Sequence, residues 1–176
     1  MKGVCILLLF ARCCACIIVQ EKVPLACNAK WDTSSSSMYN VVFQWTQHNE
    51  LEHWRFEELD ASCVQVHYNT HIRIRKIFDS WLPSKMLATT VSKQACVQQD
   101  VLQETVLVSD IILIESLSIR MHARINNKKQ VLEFLAETDL RVPWFFKMIE
   151  PTVTSQLEDS LREYHALLAL ELCKGH

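Results

Sequence analysis

The stretch LSIRMHARINNKKQVLEFLAETDL, residues 117–140, gives the most direct indication of the architecture. Before the pair Asn126-Asn127, apolar residues alternate with polar ones, and the same two-residue repeat resumes at Val131. A repeat of two places alternate side chains on opposite faces of a strand. Asn tolerates the left-handed backbone that tight turns need. The stretch therefore predicts an antiparallel β-hairpin with one apolar face and one face in water.

The alternation extends toward the N-terminus. From Val106 to Ile125 the chain is strongly apolar and contains neither glycine nor proline, and a break near Ser109-Asp110 predicts two strands there. An earlier run, Val64–Arg75, alternates in the same way and is rich in β-branched residues, which favour strands. These runs together predict an antiparallel sheet.

Downstream of the hairpin the apolar period becomes that of a helix. Apolar residues spaced by three or four form a stripe from Val153 to Leu172, while Glu158, Asp159 and Arg162 occupy the outer face. A stripe of this length has to be buried. The apolar face of the sheet is the available partner, so we expect the helix to pack across it.

The segment before the sheet carries a boundary and a second helical pattern. The polar run Trp31–Ser37 cannot pack and ends in residues that cap helices well. Helical spacing of apolar residues after it predicts an amphipathic helix from about Ser37 to Gln47. Its Glu-rich continuation, His48 to Leu59, is predicted as helix or irregular structure.

The N-terminal segment has two interpretations. Lys2, the apolar run Val4–Phe10 and the small residues around Cys13-Cys14-Ala15 are typical of a signal peptide or a weak membrane anchor. The alternative is an apolar strand or helix of the fold itself. We therefore divide the chain into a Cys-rich leader with a polar linker, residues 1–35, and one domain, residues 36–176.

Four of the eight cysteines lie in the first sixteen residues. If the leader is removed, the four that remain are Cys27, Cys63, Cys96 and Cys173. Four cysteines allow three pairings, and the sequence does not select among them.

Composition excludes several classes of function. A net charge of −2 and a pI of about 6.4 give no sign of a nucleic-acid partner. Only two glycines occur in 176 residues, so the Gly-rich loops that bind nucleotide phosphates are absent. No zinc-protease motif occurs among the seven histidines. We therefore predict no catalytic residue, no metal site and no cofactor.

The C-terminal third adds a resemblance to a known family. Pro143-Trp144-Phe-Phe-Lys147-Met-Ile149-Glu150, followed by Ser155-Gln-Leu157-Glu158-Asp159 and Tyr164, is similar to the closing signature of the VASt (Aster) domain, of the StAR-related lipid-transfer superfamily. The resemblance covers about Val101 to Leu172. It is distant, because the family's Asp-Val-Pro-Tyr-like stretch would fall near Thr105–Val108, where neither proline nor tyrosine stands.

This resemblance implies an α+β helix-grip fold, in which a long C-terminal helix packs across a curved antiparallel sheet and a hydrophobic cavity lies between them. It implies non-catalytic binding or transfer of a lipid such as a sterol, a membrane surface as a partner, and a location at the endoplasmic reticulum or its contact sites, or secretion if the leader is cleaved. Trp144 is predicted to pack at the corner between strand and helix, and the alternative for it is contact with a membrane interface. The candidate ligand-binding residues, which alternatively fill a solid core, are Leu132, Phe134, Ala136, Leu140, Leu157, Leu161, Tyr164 and Leu168.

Two other classes of protein remain open. A leader and four further cysteines also suit a secreted, disulfide-bonded helical bundle of the cytokine type, in which Val106–Ile125 would be a central helix. The polar residues that share one parity in that run count against a helix. The other class is an enzyme with the same helix-grip fold, a cyclase or hydrolase, whose pocket would hold a conspicuous polar cluster.

Overall fold

The computed structural model describes residues 14–34, 38, 52–71, 88–111 and 114–174. Within those residues, seven strands form one antiparallel sheet in the order β1-β7-β6-β5-β4-β3-β2. The strands are β1 (Cys14–Pro24), β2 (Glu52–Asp60), β3 (Cys63–His71), β4 (Ala88–Gln98), β5 (Val101–Ser109), β6 (Ser116–Asn126) and β7 (Val131–Arg141). A 3-10 segment, Trp144–Ile149, leads into the helix α1, Glu150–Lys174. The sheet is curved and α1 packs across it, which confirms the predicted helix-grip fold.

The predicted hairpin is the β6–β7 pair. Ala123 lies opposite Phe134 and Ile125 opposite Leu132, with residues 127–130 in the turn. The predicted break after Ser109 is also confirmed, because β5 ends there and β6 begins at Ser116. The inward side chains of β7 alternate strictly with partly exposed ones along the whole strand. This alternation fixes the register, since a slip by one residue would turn the apolar row toward water.

The first strand lies within the segment that the sequence assigns to a leader and linker. β1 pairs with β7 along its length, from Cys14 opposite Arg141 to Pro24 opposite Val131. Ile17 and Val19 point inward and are buried. The folded domain therefore includes residues before the predicted boundary at 36. The leader prediction for residues 1–13 falls outside the described residues.

The prediction for His48–Leu59 is wrong where the structure describes it. Residues Glu52–Asp60 form β2, which lies at the edge of the described sheet and has mostly exposed side chains. Without a buried face, no apolar alternation marks the strand in the sequence. The predicted helix from Ser37 to Gln47, apart from Met38, and the end of the Val64–Arg75 run lie outside the described residues.

The core is formed where α1 covers the inward face of β1 and β7. Helix residues Val153, Leu161, Leu168 and Ala169 are buried together with the inward row of β7. Burying apolar surface of this kind stabilises the fold by roughly 25 cal/mol per Å². Pro151 lies in the first turn of α1, where a missing N–H is tolerated. No helix in the described part of the chain is both long and apolar enough to cross a membrane.

Two disulfides connect distant parts of this fold. Cys27, just after β1, is bonded to Cys173 near the end of α1, and Cys63 of β3 is bonded to Cys96 of β4. The second pair occupies directly opposed positions of neighbouring strands. The structure thus selects one of the three pairings that the sequence left open.

Candidate functional site

Polar side chains are buried in the apolar interior between the sheet and α1. Lys93 of β4, Glu104 of β5 and Tyr164 of α1 are almost completely inaccessible to solvent, and Tyr68 of β3 is buried beside them. The three strands are neighbours in the sheet. Ala95, two residues after Lys93, is paired with Glu104, so the two charged side chains lie diagonally across adjacent strands and on the same face.

Three of these side chains contact one another directly. The Lys93 Nζ atom lies 2.9 Å from Glu104 Oε1, and the Tyr164 hydroxyl donates a hydrogen bond of 2.6 Å to Glu104 Oε2. Lys93 Nζ also lies 3.4 Å from the Tyr164 hydroxyl oxygen and 4.8 Å from the centroid of the tyrosine ring. Each oxygen of the buried carboxylate therefore has its own partner. We call Lys93, Glu104 and Tyr164 the polar cluster.

Burial controls the protonation of the two tyrosines. It raises the pKa of Tyr164 well above its ordinary value, and the negative charge of Glu104 raises this pKa further. The pKa of Tyr68 is raised for the same two reasons, again with burial as the larger one. Both hydroxyls are therefore protonated at neutral pH and available as donors. Tyr164 already uses its proton on Glu104.

This arrangement presents complementary groups to a ligand. An ammonium donates, a carboxylate accepts, and a tyrosine hydroxyl does both. A hydroxyl or carbonyl group that enters the interior would find partners of either kind within one small volume. The apolar surroundings strengthen each such interaction, because the effective dielectric constant is lower than in water.

The sequence-predicted ligand-binding residues belong to β7 and α1, and one of them, Tyr164, is part of the polar cluster. β7 supplies its inward row and α1 supplies its stripe, and all of these side chains are buried except Leu157, which is partly buried. The residues concerned are Leu132, Phe134, Ala136, Leu140, Leu157, Leu161, Tyr164 and Leu168. The structure brings them into one core, and their role toward a ligand stays a prediction.

Sequence reasoning missed Tyr68, Lys93 and Glu104. A signal was present, since Lys93 stands in the inward row of β4 and Glu104 in that of β5. A charged residue at an inward position of an otherwise alternating strand indicates a buried site. The structure also corrects the expectation for Trp144, which is exposed and does not pack at the corner.

A second polar contact joins α1 to β1. Glu21 receives the Nε–H of Arg162 at 2.9 Å, and the His165 Nδ1 atom lies 3.2 Å from its other carboxylate oxygen. His165 is fully buried, and burial lowers its pKa to about 4, although Glu21 acts in the opposite direction. The imidazole is therefore neutral at neutral pH, and its Nδ1–H donates to Glu21. This contact and the Cys27–Cys173 disulfide hold the C-terminal half of α1 on the sheet.

A separate pocket lies beside the β2–β3 turn. Its volume is about 220 Å³, below the roughly 300–1,000 Å³ usual for small-molecule sites. It is lined by Thr33, Met38, Glu58, Asp60, Ala61, Ser62, Cys63 and Val64. None of these residues belongs to the polar cluster, so the pocket adds nothing to the site between sheet and helix.

Comparison with known proteins extends only to the fold. No family model and no curated protein matches the chain. Among solved structures it is similar to norcoclaurine synthase from Thalictrum flavum, in complex with dopamine and hydroxybenzaldehyde, at 13% identity over 90% of this chain and 88% of that chain, with a TM-score of 0.49. It is also similar to the Zhui aromatase/cyclase from Streptomyces sp. R1128, at 11% identity over 85% of this chain and 94% of that chain, with a TM-score of 0.43.

The prediction that the chain is not an enzyme requires correction. The interior holds Lys93, Glu104 and Tyr164 in mutual contact, which is the conspicuous polar cluster expected of an enzyme with this fold, so the absence of catalysis is not supported. The prediction rested on the lack of a recognisable catalytic motif, and such a lack does not exclude a site that the fold assembles from residues far apart in the sequence. Function has to be argued from the site, since one fold hosts many functions.

Proposed function

We propose that this chain binds a small, mostly apolar molecule between its sheet and α1, with a polar group of that molecule at Lys93, Glu104 and Tyr164. The observation that carries this proposal is a charged pair and a tyrosine hydroxyl buried together in an apolar interior. Removing two charges from water is expensive, and their attraction seldom gives net stability in return. A buried cluster of this kind is therefore explained better by a ligand than by folding alone.

The chemistry of the interior indicates the class of ligand. Its walls include Leu132, Phe134, Leu161 and Leu168, which would remove apolar ligand surface from water. The polar cluster would hold a hydroxyl or a carbonyl group. A sterol has this distribution of polarity, with a hydroxyl on a rigid apolar body, and the resemblance to the VASt domain supports a sterol as the ligand.

Titration of a fluorescent sterol into the full chain, competed with unlabelled sterol, tests this proposal. We expect saturable binding that Glu104→Gln weakens by about tenfold or more, since hydrogen bonds to charged groups contribute about 1.5–3 kcal/mol. Glu137→Gln is the matched control, because Glu137 lies on β7 with its carboxylate near Arg120 and partly exposed. The absence of binding by a well-folded, strand-rich sample would exclude a sterol. Equal binding by both variants would exclude the polar cluster as the contact.

Proton-transfer catalysis is a second candidate function for the same site. The hydrogen bond of 2.6 Å between Tyr164 and Glu104 is in the short range for a hydroxyl on a carboxylate, and the Lys93 ammonium lies beside it. In such a set the Glu104 carboxylate can take a proton from a carbon next to a carbonyl group, and the Lys93 ammonium can stabilise the resulting enolate. NMR would detect this as exchange of that hydrogen for deuterium in D₂O. Exchange that Glu104→Gln abolishes would favour an enzyme, and binding without exchange would favour a carrier.

The disulfides support a proposal about the compartment. Disulfide bonds persist mainly in oxidising compartments, and the described residues form two, one joining β3 to β4 and one joining the segment after β1 to α1. We place the binding function in the lumen of the secretory pathway or outside the cell. The test is alkylation of the protein in intact cells, followed by mass spectrometry without reduction. If this placement is wrong, Cys27 and Cys173 are free thiols in the cell and will carry the alkyl group.

A further inference from the structure

Exposed large apolar side chains are more numerous at one end of the described sheet, which also carries exposed polar residues such as Asp110 and Glu115. At the end with fewer of them lie three turns, residues 61–62, 99–100 and 127–130, which are mainly polar and include Asn127, Lys128, Lys129 and Gln130. At the other end β7 stops and α1 begins; we call this the Trp144 end. Here the side chains of Trp144, Phe145 and Met148 are 81%, 58% and 84% exposed. Trp54, near the start of β2, lies at the same end and is also exposed.

The 3-10 segment Trp144–Ile149 holds these side chains outward in a defined way. Ile149 is buried and Phe146 packs partly against the core, while the Phe146 N–H donates to the Pro143 carbonyl at 2.8 Å. The rings of Trp144 and Phe145 meet edge to face, with centroids 5.7 Å apart. Two residues of the segment thus fix it to the domain, while Trp144, Phe145 and Met148 stay exposed; we call these three apolar side chains the protrusion.

We propose that this protrusion is a membrane-docking site that inserts Trp144, Phe145 and Met148 into a lipid surface. Trp is favoured at the boundary between lipid and water because its ring is apolar and its N–H is polar. An exposed apolar patch usually marks an interaction site, since single exposed apolar residues are common but contiguous ones are not.

The position of the protrusion favours lipid over a protein partner. Trp54 of β2, at the opposite edge of the described sheet, is a second exposed apolar element at this same end. A lipid surface is the partner that contacts several separate apolar elements at once.

Vesicle flotation of the full chain tests the inference. The probe is phosphatidylcholine vesicles, and the variant is Trp144→Ser/Met148→Ser. We expect the partition coefficient of the variant between vesicles and water to be lower by about tenfold or more, since burying one large apolar side chain has an effect of that size. Leu170→Ser is the matched control, because Leu170 is an exposed apolar residue near the opposite end of α1. It should partition as the unchanged protein does.

Three results would overturn the proposal. The first is equal partition of the unchanged protein and the Trp144→Ser/Met148→Ser variant, and the second is an equal loss with Leu170→Ser. The third is the absence of vesicle binding together with a dimer that only the double variant dissociates, which would assign the protrusion to self-association. Both variants change exposed side chains, and their circular dichroism should match that of the unchanged protein. Sterol titration of the same samples shows separately whether the interior still binds.

Discussion

Lys93 and Glu104 form an ion pair across two neighbouring strands, with a nitrogen–oxygen distance of 2.9 Å and side chains that are each 1% exposed. Both side chains are buried, so water cannot take the place of the partner of either charge. The pair is therefore an all-or-none arrangement, since loss of one charge leaves the other buried and uncompensated. The hydroxyl of Tyr164 satisfies the second carboxylate oxygen and links the pair to α1. The site thus joins the sheet to the helix by polar contacts inside an apolar core.

We predict that Lys93→Met lowers the free energy of unfolding by about 3–5 kcal/mol, because it leaves the Glu104 carboxylate unpaired in the core. The double variant Lys93→Met/Glu104→Leu should recover most of this loss, since apolar residues of similar volume can replace a buried pair. Urea denaturation of the two variants and the unchanged protein measures both effects. A double variant no more stable than the single one would contradict this account of the pair.

Tyr164→Phe should lower the free energy of unfolding by about 1.5–3 kcal/mol, since it removes a hydrogen bond to a charged group. The loss should be smaller when Glu104 is already replaced by Gln, because the donor then no longer meets a full charge. A double-mutant cycle in urea isolates this coupling. Additive losses would show that the hydroxyl and the carboxylate act independently, against the 2.6 Å contact between them.

The sequence was sufficient to predict those strands and helices in which one face is uniformly apolar. The β6–β7 hairpin and α1 were predictable, because alternation and helical spacing run through them without interruption. β4 was missed, since Lys93 interrupts its inward row, and the β4–β5 turn has Gln99 and Asp100 in the left-handed region without an Asn-Gly signal. Lys93 is therefore both a residue of the site and the reason why the sequence pattern did not predict β4.

The disulfide pairing depends on long-range topology and was beyond local patterns. Cys27 and Cys173 are separated by 146 positions and meet only because α1 runs back along β1. Cys63 and Cys96 are opposed only in the particular register of β3 on β4. Neither disulfide pairing can be predicted from the spacing of the cysteines along the sequence. β2 was missed for a different reason, since its exposed position gives it no apolar row.

The two disulfides should differ in their contribution to stability. In the chain-entropy description, closing loops of 146 and 33 residues stabilises the fold by about 5 and about 4 kcal/mol. We predict that Cys27→Ser/Cys173→Ser lowers the midpoint of urea denaturation more than Cys63→Ser/Cys96→Ser does. The second variant is the matched control, because it removes the same number of sulfur atoms. The reverse order would show that local packing around the cysteines outweighs loop closure.

The free energy of unfolding should decrease as the pH decreases, because His165 titrates. Burial lowers the pKa of this imidazole from 6.5 to about 4, so between these values the unfolded chain binds a proton that the folded chain does not. The free energy of unfolding therefore decreases as pH falls from about 6.5 toward 4. Ordinary carboxyl groups also titrate near the lower limit of this range, so the comparison requires a variant that lacks the imidazole alone.

His165→Gln removes the titrating group and keeps an N–H that can reach Glu21. We predict that its stability depends less steeply on pH between 6.5 and 4 than that of the unchanged protein, as measured by urea denaturation at a series of pH values. His122→Gln is the matched control, because His122 lies on the exposed face of β6. It should leave the slope unchanged. Equal slopes for all three proteins would mean that His165 gains a proton as readily in the folded chain as in the unfolded one, and the contact between α1 and β1 would then persist in acid.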